Sequence, residues 1–157
     1  MARAKNGSSG PDLLRLENQV CFPLYATSRL VTRLYQPLLE PLGLTYPQYI
    51  VMMILWEDAP CPVGRVGERS LLNTNTLTPL LKRLEQMGFL ERRRSPQDER
   101  VVEIHLTRAG SALRERCAAI PETLAGSLDF PVEKLLLLKS ILDELSERLQ
   151  EAARKDP

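Results

Sequence analysis

The stretch NTLTPLLKRLEQMGFLERRRSPQDERVVEIHL at residues 75–106 changes its apolar period partway along, and that change decides the fold. Over 75–87 the leucines at 77, 80, 81 and 84 return every three or four residues, as on one face of a helix, and Gly88 supplies the residue that closes it. Over 89–94 and 101–106 the period falls to two, and the turn Ser95-Pro96-Gln97-Asp98-Glu99 joins the two runs into a hairpin. Just upstream, Val63–Ser70 reads as a short helix and 71–74 as a turn. A helix-turn-helix followed by a hairpin is a winged helix.

Working outward, Pro47 suits the first turn of a helix carrying Tyr49, Ile50, Met53, Ile54 and Leu55, which Pro60 and Pro62 end. Further upstream, Asp12 reads as the cap of a long amphipathic helix over Leu13, Leu16, Val20, Leu24, Leu30, Leu34 and Leu38, broken by Pro37, Pro41 and Gly43. Downstream, Thr107 reads as the cap of a helix through Ala109, Leu113 and Cys117, interrupted at Pro121. A last helix over 132–153 carries Leu135, Leu138, Leu142, Leu145 and Leu149 at alternating steps of three and four, a coiled-coil-like seam. The first and last helices have little of their own chain to cover them, so they read as dimerisation helices rather than plain core. The expected architecture is mainly α with a small β-hairpin wing. A flexible tail occupies 1–11, and a single domain 12–157 has its winged helix-turn-helix at about 45–107 between dimerisation helices at about 12–40 and 108–154.

At 157 residues the chain can hold one domain with a real core, since chains of this size bury about 70% of their unfolded surface. The net charge of +1 conceals a local concentration: Lys82, Arg83, Arg92, Arg93, Arg94, Arg100 and Arg108 crowd one short span, so contact with a polyanion is local. Three widely spaced cysteines do not make a secreted disulfide framework, and the polar start lacks the apolar stretch of a signal peptide. A reducing cytoplasm is the expected setting. No window approaches the roughly 18 apolar residues of a membrane span, so no membrane is expected as partner.

The 75–87 helix presents Asn75, Thr76 and Thr78 near its N-terminus and Lys82 and Arg83 beyond, short polar groups and then cations, as reading base edges in a major groove requires. Pro79 fits only near the first turn. The opposite, leucine face docks the helix onto Val66 and the wing strands. Arg92, Arg93, Arg94 and Arg100 in the wing suit phosphate or minor-groove contacts, with Asp98 and Glu99 available to hold an arginine in place. A solvated charged hairpin is the plain alternative, and the helix-turn-helix before it tips the reading to double-stranded DNA.

The segments Leu-Thr-Tyr-Pro-Gln-Tyr at 44–49, Thr-Leu-Thr-Pro-Leu-Leu-Lys-Arg-Leu-Glu at 76–85 and Asp-Glu-Arg at 98–100 resemble the MarR family, and Asn-Gln-Val-Cys-Phe at 18–22 narrows the resemblance to its organic-hydroperoxide-sensing repressors. It runs over nearly the whole chain from about Leu16. It implies a homodimeric transcriptional repressor, not an enzyme, that leaves a pseudo-palindromic operator when its N-terminal cysteine is oxidised by an organic hydroperoxide. Cys21 meets the family's cysteine position, and Tyr25, Tyr35 and Tyr46 meet its tyrosine positions.

Helix geometry constrains those roles. Tyr25 follows Cys21 by one turn and shares its face at about 6 Å. Tyr35 returns close to the same face but about 21 Å along a straight helix, so it cannot reach the cysteine of its own chain. A phenol–thiolate hydrogen bond of the kind the resemblance implies would therefore come from the partner subunit, with Tyr46 beside it. Such a donor favours the thiolate, the form that reacts with peroxide. Pro23 either kinks this helix or restarts it; in the second case Cys21 lies at a helix N-terminus, where the dipole also favours a thiolate.

Cys61, between Pro60 and Pro62 in a connector where an exposed thiol could be modified, has no activating neighbour and reads as a bystander. In two-cysteine members of the resembled family, a resolving cysteine comes from the C-terminal helical region of the other subunit, expected here around 126–130, where this chain has none. Cys117 is then the candidate resolving partner, the alternative being a sulfenic acid captured by a small-molecule thiol. Asn73 stands where those repressors often carry Asp. His105, the only histidine, falls in the second wing strand as a strand residue, and three cysteines with one histidine lack the paired spacing of a zinc site; neither metal nor cofactor is expected. A thiol peroxidase, a repressor gated by a non-covalent phenolic or drug-like ligand, and a pure interaction module are the competing classes.

Overall fold

A computed structural model describes Asp12 and residues 14–155. The expected flexible tail at 1–11, and Leu13, lie outside the described residues. The chain divides into two compact units, one ending at Ala118 and the other beginning at Ala119. In order, the first holds α1 (Cys21–Leu39), α2 (Tyr46–Asp58), β1 (Cys61–Pro62), α3 (Val63–Ser70), α4 (Thr74–Gln86), β2 (Leu90–Arg94), β3 (Val102–Leu106) and α5 (Arg108–Cys117). The second holds α6 (Ile120–Ser127) and α7 (Val132–Lys155).

The first helix is shorter than the pattern of its apolar residues suggests. Asp12 makes a local turn, its carboxylate accepting from the Leu14 N–H at 3.0 Å, and only a 3-10 turn at Leu16–Asn18 precedes α1. Pro23 explains the start. It has no N–H for the carbonyl of residue 19, and its ring would clash there, so the helix begins at Cys21 with Pro23 in the first turn, where those orphan groups exist anyway. Pro37, expected to break the helix, lies inside it, where its missing N–H leaves the Arg33 carbonyl without its usual partner. α1 ends at Leu39; a 3-10 turn at Glu40–Leu42 follows, with Pro41 in its start, and Gly43 closes it at a φ of 70° that an L side chain rarely adopts.

α2 forms the centre of the first unit. Pro47 opens it, the Thr45 N–H donates to Gln48 Oε1 at 2.8 Å, and Tyr49, Val51, Met52, Ile54 and Leu55 are all buried. α3 is strapped to its end by Asp58, which accepts from Arg65 Nε at 3.0 Å and Arg69 Nη1 at 2.9 Å. α4 starts at Thr74, one residue before its expected start, with Asn73 as its cap; Pro79 therefore sits in the second turn and leaves the Asn75 carbonyl without its usual partner. Leu77, Leu81 and Leu84 are buried as expected, each contributing about 1.5–3 kcal/mol.

The wing is a three-stranded antiparallel sheet in the order β1-β3-β2, with Leu90 opposite Leu106, Arg92 opposite Ile104 and Arg94 opposite Val102. β1 corrects the reading of 60–62 as a mere connector: Cys61 pairs with Ile104 and is buried, not an exposed thiol. A two-residue strand has no periodicity to read. His105 lies on β3 as expected, Nε2 at 3.3 Å from Glu103 Oε2.

α5 is capped by Thr107, whose Oγ1 accepts from the Gly110 N–H at 3.0 Å. Gly110 is there for closeness: a Cβ on it would stand 1.9 Å from the Phe89 carbonyl oxygen. In the second unit, Pro121 opens α6, and α7 carries the leucine seam with Leu138 and Leu149 exposed and Leu135, Leu142 and Leu145 half-buried. Among the described residues no single helix is long and apolar enough to cross a membrane. Gly110→Ala should cost about 3 kcal/mol or more in urea unfolding, because backbone rather than a flexible side chain must yield; an unchanged midpoint would contradict the close approach.

Candidate functional site

Two groups of side chains stand out, one on α4 and the wing, the other on α1 and α2. On α4, the Asn73 side chain accepts from the Thr76 N–H at 2.9 Å and so caps the helix. Asn75, Thr76, Thr78, Lys82 and Arg83 are all exposed, and neither Lys82 nor Arg83 has an ion pair among the described residues. They stand opposite the buried Leu77, Leu81 and Leu84.

The wing arginines are more constrained. Arg92 turns back to α4, where its Nη2 and Nε reach Glu85 Oε2 at 2.6 and 2.9 Å while its backbone N–H donates to Glu85 Oε1 at 3.0 Å. The hydrogen bonds from Arg92 hold the Glu85 carboxyl below its usual range. Arg93 pairs with Glu91 at 2.6 Å. At the tip, Asp98 holds Arg100, accepting from its backbone N–H at 3.0 Å and its Nε at 3.3 Å. Glu99 works through its main chain, its carbonyl accepting from Arg94 Nη1 at 3.1 Å. Of the two acids expected to hold an arginine, Asp98 does so by its side chain and Glu99 does not; Glu85 and Glu91 were not anticipated. Thr78, Arg92 and Arg100 line an open cleft of about 540 Å³ with the start of α3.

In the second group, Cys21 is the first residue of α1 and exposed, and Tyr25, one turn on, is 63% exposed. The restart is the outcome that puts the thiol at the positive end of a helix. Tyr35 and Tyr46 meet with ring centroids 4.6 Å apart, from separate helices. Tyr35 also lies 5.8 Å from Tyr49, which stands edge-on to Trp56 at 6.3 Å. Burial raises the phenol pKa of Tyr35, with Tyr46 adding to it, raises that of Tyr46, and pushes Tyr49 up to about 12. All three are therefore protonated donors at neutral pH. Tyr46 also borders a cavity of about 480 Å³ with Thr32, Gln36 and Glu40. Tyr49 and Trp56 escaped the sequence reading as partners of this group, although positions 46, 49 and 56 repeat at helical spacing.

The structure does not bring Cys21 to this cluster. Fourteen residues of unbroken helix put Tyr35 about 21 Å along the axis from the thiol of its own chain. Cys117 lies at the other end: it is 2% exposed in the core, close enough to Tyr49 to raise that phenol's pKa, and burial raises its own. A thiol held buried and protonated has to be uncovered before it can resolve an oxidised cysteine. Cys61 is buried too, with its pKa raised by burial first. Among the described residues no three His, Cys, Asp or Glu side chains gather as a metal site.

Residues 33–116 match the family model described as transcriptional regulator SarA/Rot. The chain is 47% identical over 140 residues to the organic hydroperoxide resistance transcriptional regulator of Bacillus subtilis (strain 168), covering 89% of this chain and 95% of that protein. Among solved structures it is similar to AbfR of Staphylococcus epidermidis: to reduced AbfR bound to DNA, at 39% identity and a TM-score of 0.70 over 87% of this chain and 93% of that one. The disulfide form of AbfR gives 37% identity and a TM-score of 0.64 over 87% and 91%.

Because the Tyr49 phenol is raised from 10.0 to about 12, its contribution to stability should be complete below pH 10 and fall away from pH 10 through about 12, where the unfolded chain ionises first. Urea unfolding across that window should show a steeper decline for wild type than for Tyr49→Phe.

Proposed function

We propose, because this chain belongs to the MarR/SarA-type family of transcriptional regulators and to its organic-hydroperoxide-sensing branch, that it is a thiol-based DNA-binding repressor switched by oxidation of Cys21. It acts in the cytoplasm as a homodimer, stoichiometrically rather than as an enzyme. The observation that carries the reading is the split site: a half-buried, protonated Tyr35–Tyr46 pair that lies about 21 Å from the exposed Cys21 of its own chain. A second copy running antiparallel along α1 would bring its Cys21 to this pair, where two phenol O–H groups can donate to one thiolate. The apolar residues that α1 leaves exposed, among them Phe22, Leu30 and Leu34, suit burial in such a dimer, as does the seam of α7. Together these helices and the winged helix act as one domain over 12–157.

In the reduced state the two copies of α4 sit about one helical turn, roughly 34 Å, apart on a pseudo-palindromic operator. Asn75, Thr76 and Thr78 face base edges, Lys82 and Arg83 flank them, and Arg93, Arg94 and Arg100 reach phosphates or the minor groove, with Asp98 setting Arg100. Arg92 serves by fastening the wing to α4 through Glu85. The Cys21 thiolate attacks the terminal peroxide oxygen of an organic hydroperoxide; the O–O bond breaks, the sulfur becomes a sulfenic acid and the alcohol leaves with a proton from solvent. A small-molecule thiol then displaces the hydroxyl as water and leaves a mixed disulfide, a fate supported over Cys117 by the burial of that thiol. Either product takes the negative sulfur away from the phenols, and the bulkier one forces the helices apart.

Operator affinity at fixed salt, for wild type and Cys21→Ser before and after an equivalent of organic hydroperoxide in the presence of a small-molecule thiol, tests this directly. Wild type alone should lose at least about tenfold, and the intact mass should rise by one small thiol; a loss of two protons would instead give Cys117 the resolving role. Release by both proteins, or by neither, would reject the redox switch in favour of a ligand-gated repressor. A second outcome concerns the wing. Glu85→Gln removes one negative charge from the reading face and frees Arg92, so the salt dependence of DNA binding should steepen by about one unit of log–log slope, read from titrations at several salt concentrations.

A further inference from the structure

The sensing cluster and the DNA-reading face are different parts of the first unit, and the side chains that join them can be traced. α2 carries Tyr46, Tyr49 and Trp56 along one face, spanning about 15 Å of helix. Tyr35 touches the first two rings and Tyr49 touches the third, so the four aromatics form a continuous ladder from α1 to the far end of α2. The ladder does not end in plain packing. Trp56 Nε1–H donates to the Gly110 carbonyl at 2.9 Å, a half-buried bond between residues 54 apart in sequence.

Gly110 belongs to a node with little freedom. Its Cα lies against the Phe89 carbonyl, that carbonyl accepts from the Thr107 N–H at 3.1 Å, and Thr107 Oγ1 donates to the Gly88 carbonyl at 2.6 Å while accepting from Gly110 N–H. Gly88 and Phe89 are the junction at which α4 ends and the wing begins. A displacement of Trp56 therefore acts on the first turn of α5, and that turn cannot move without taking the junction along.

We infer that Trp56 is a positioning residue of the switch: through its indole N–H on the Gly110 carbonyl it carries movement of the Tyr35–Tyr46–Tyr49 cluster to the point where α4 hands over to the wing. This rests on the redox reading above and names how that reading reaches the DNA-binding face. Trp56 contacts neither the oxidised sulfur nor DNA in this account. Its role is to make the two readers respond.

Trp56 is the only tryptophan in the chain, so intrinsic emission reports on this one bond. The experiment has two arms on the full-length dimer. Operator affinity is measured for wild type and Trp56→Phe, each reduced and after an organic hydroperoxide with a small thiol. Tryptophan emission is recorded for wild type and Cys21→Ser, without DNA, before and after the same treatment. The readout of the first arm is the ratio of oxidised to reduced Kd, which a merely destabilising substitution leaves alone. In Trp56→Phe that ratio should be about tenfold smaller than in wild type, and the wild-type emission maximum should shift on oxidation while that of Cys21→Ser stays put. Equal ratios, or wild type that releases DNA with unshifted emission, would overturn the relay and leave the redox reading standing. Wild type that keeps its operator after oxidation would overturn both. If Trp56→Phe does not fold, the emission arm decides alone.

Discussion

The first turn of α5 lies against the main chain of Phe89 so closely that no side chain fits between them, and much of the molecule is arranged around that contact. Thr107 caps α5 and fixes the Gly88 carbonyl in the same few ångströms, so the end of α4, the start of β2 and the start of α5 are held as one piece. Gly88, at a φ of 77°, provides the turn that lets the chain leave α4 toward the wing at this point. With these three elements locked, the direction of α4 and the tilt of the wing are a single variable. α2 can influence that variable because Trp56 is hydrogen-bonded to the same turn.

Charge at the reading face follows the same economy of freedom. An arginine-rich hairpin left to itself would be a set of long, mobile cations, each losing rotamer entropy on meeting a phosphate. Here Glu85, Glu91, Asp98 and the Glu99 carbonyl already order four of them. Exposed pairs of this kind contribute little to stability, about 0–1 kcal/mol each. Their effect is on geometry: Arg92 joins wing to helix, and the remaining guanidinium groups have defined positions from which to meet a polyanion.

At the other end, the rise of an α-helix sets what one subunit can do. Nothing in α1 bends enough to bring Cys21 to Tyr35, so a thiol and the phenols suited to it are kept apart by the helix that carries both. In the proposed switch a dimer is part of the chemistry, because one chain holds two halves of different sites. Pro23 contributes by starting the helix at the cysteine instead of two turns earlier, leaving the thiol exposed at a helix end.

The helix-turn-helix and hairpin were legible in the sequence because their apolar periods, 3.6 and then 2, are properties of neighbouring residues; Asn73, Gly88 and Thr107 mark their ends for equally local reasons. The short polar and cationic residues of α4 were legible as one exposed face for the same reason, and so was the distance between Cys21 and Tyr35, which is only a count of residues. Other features depend on which distant segments meet. Cys61 became a strand residue because Ile104 runs beside it, Cys117 became a buried thiol because α5 packs on α2, and Arg92 turned to Glu85 because β2 returns along α4. Two prolines that look alike in sequence also parted company: Pro23 delimits α1, whereas Pro37 is absorbed within it, since the cost of a missing N–H depends on which carbonyl is left and what surrounds it. The sequence by itself determined the elements, their ends and the chemical groups they carry, because backbone preference and side-chain period act over a few residues. Only the tertiary structure decided which thiol is exposed, which arginines are tethered and how the tyrosines connect to the wing, because those outcomes are set by contacts between residues far apart along the chain.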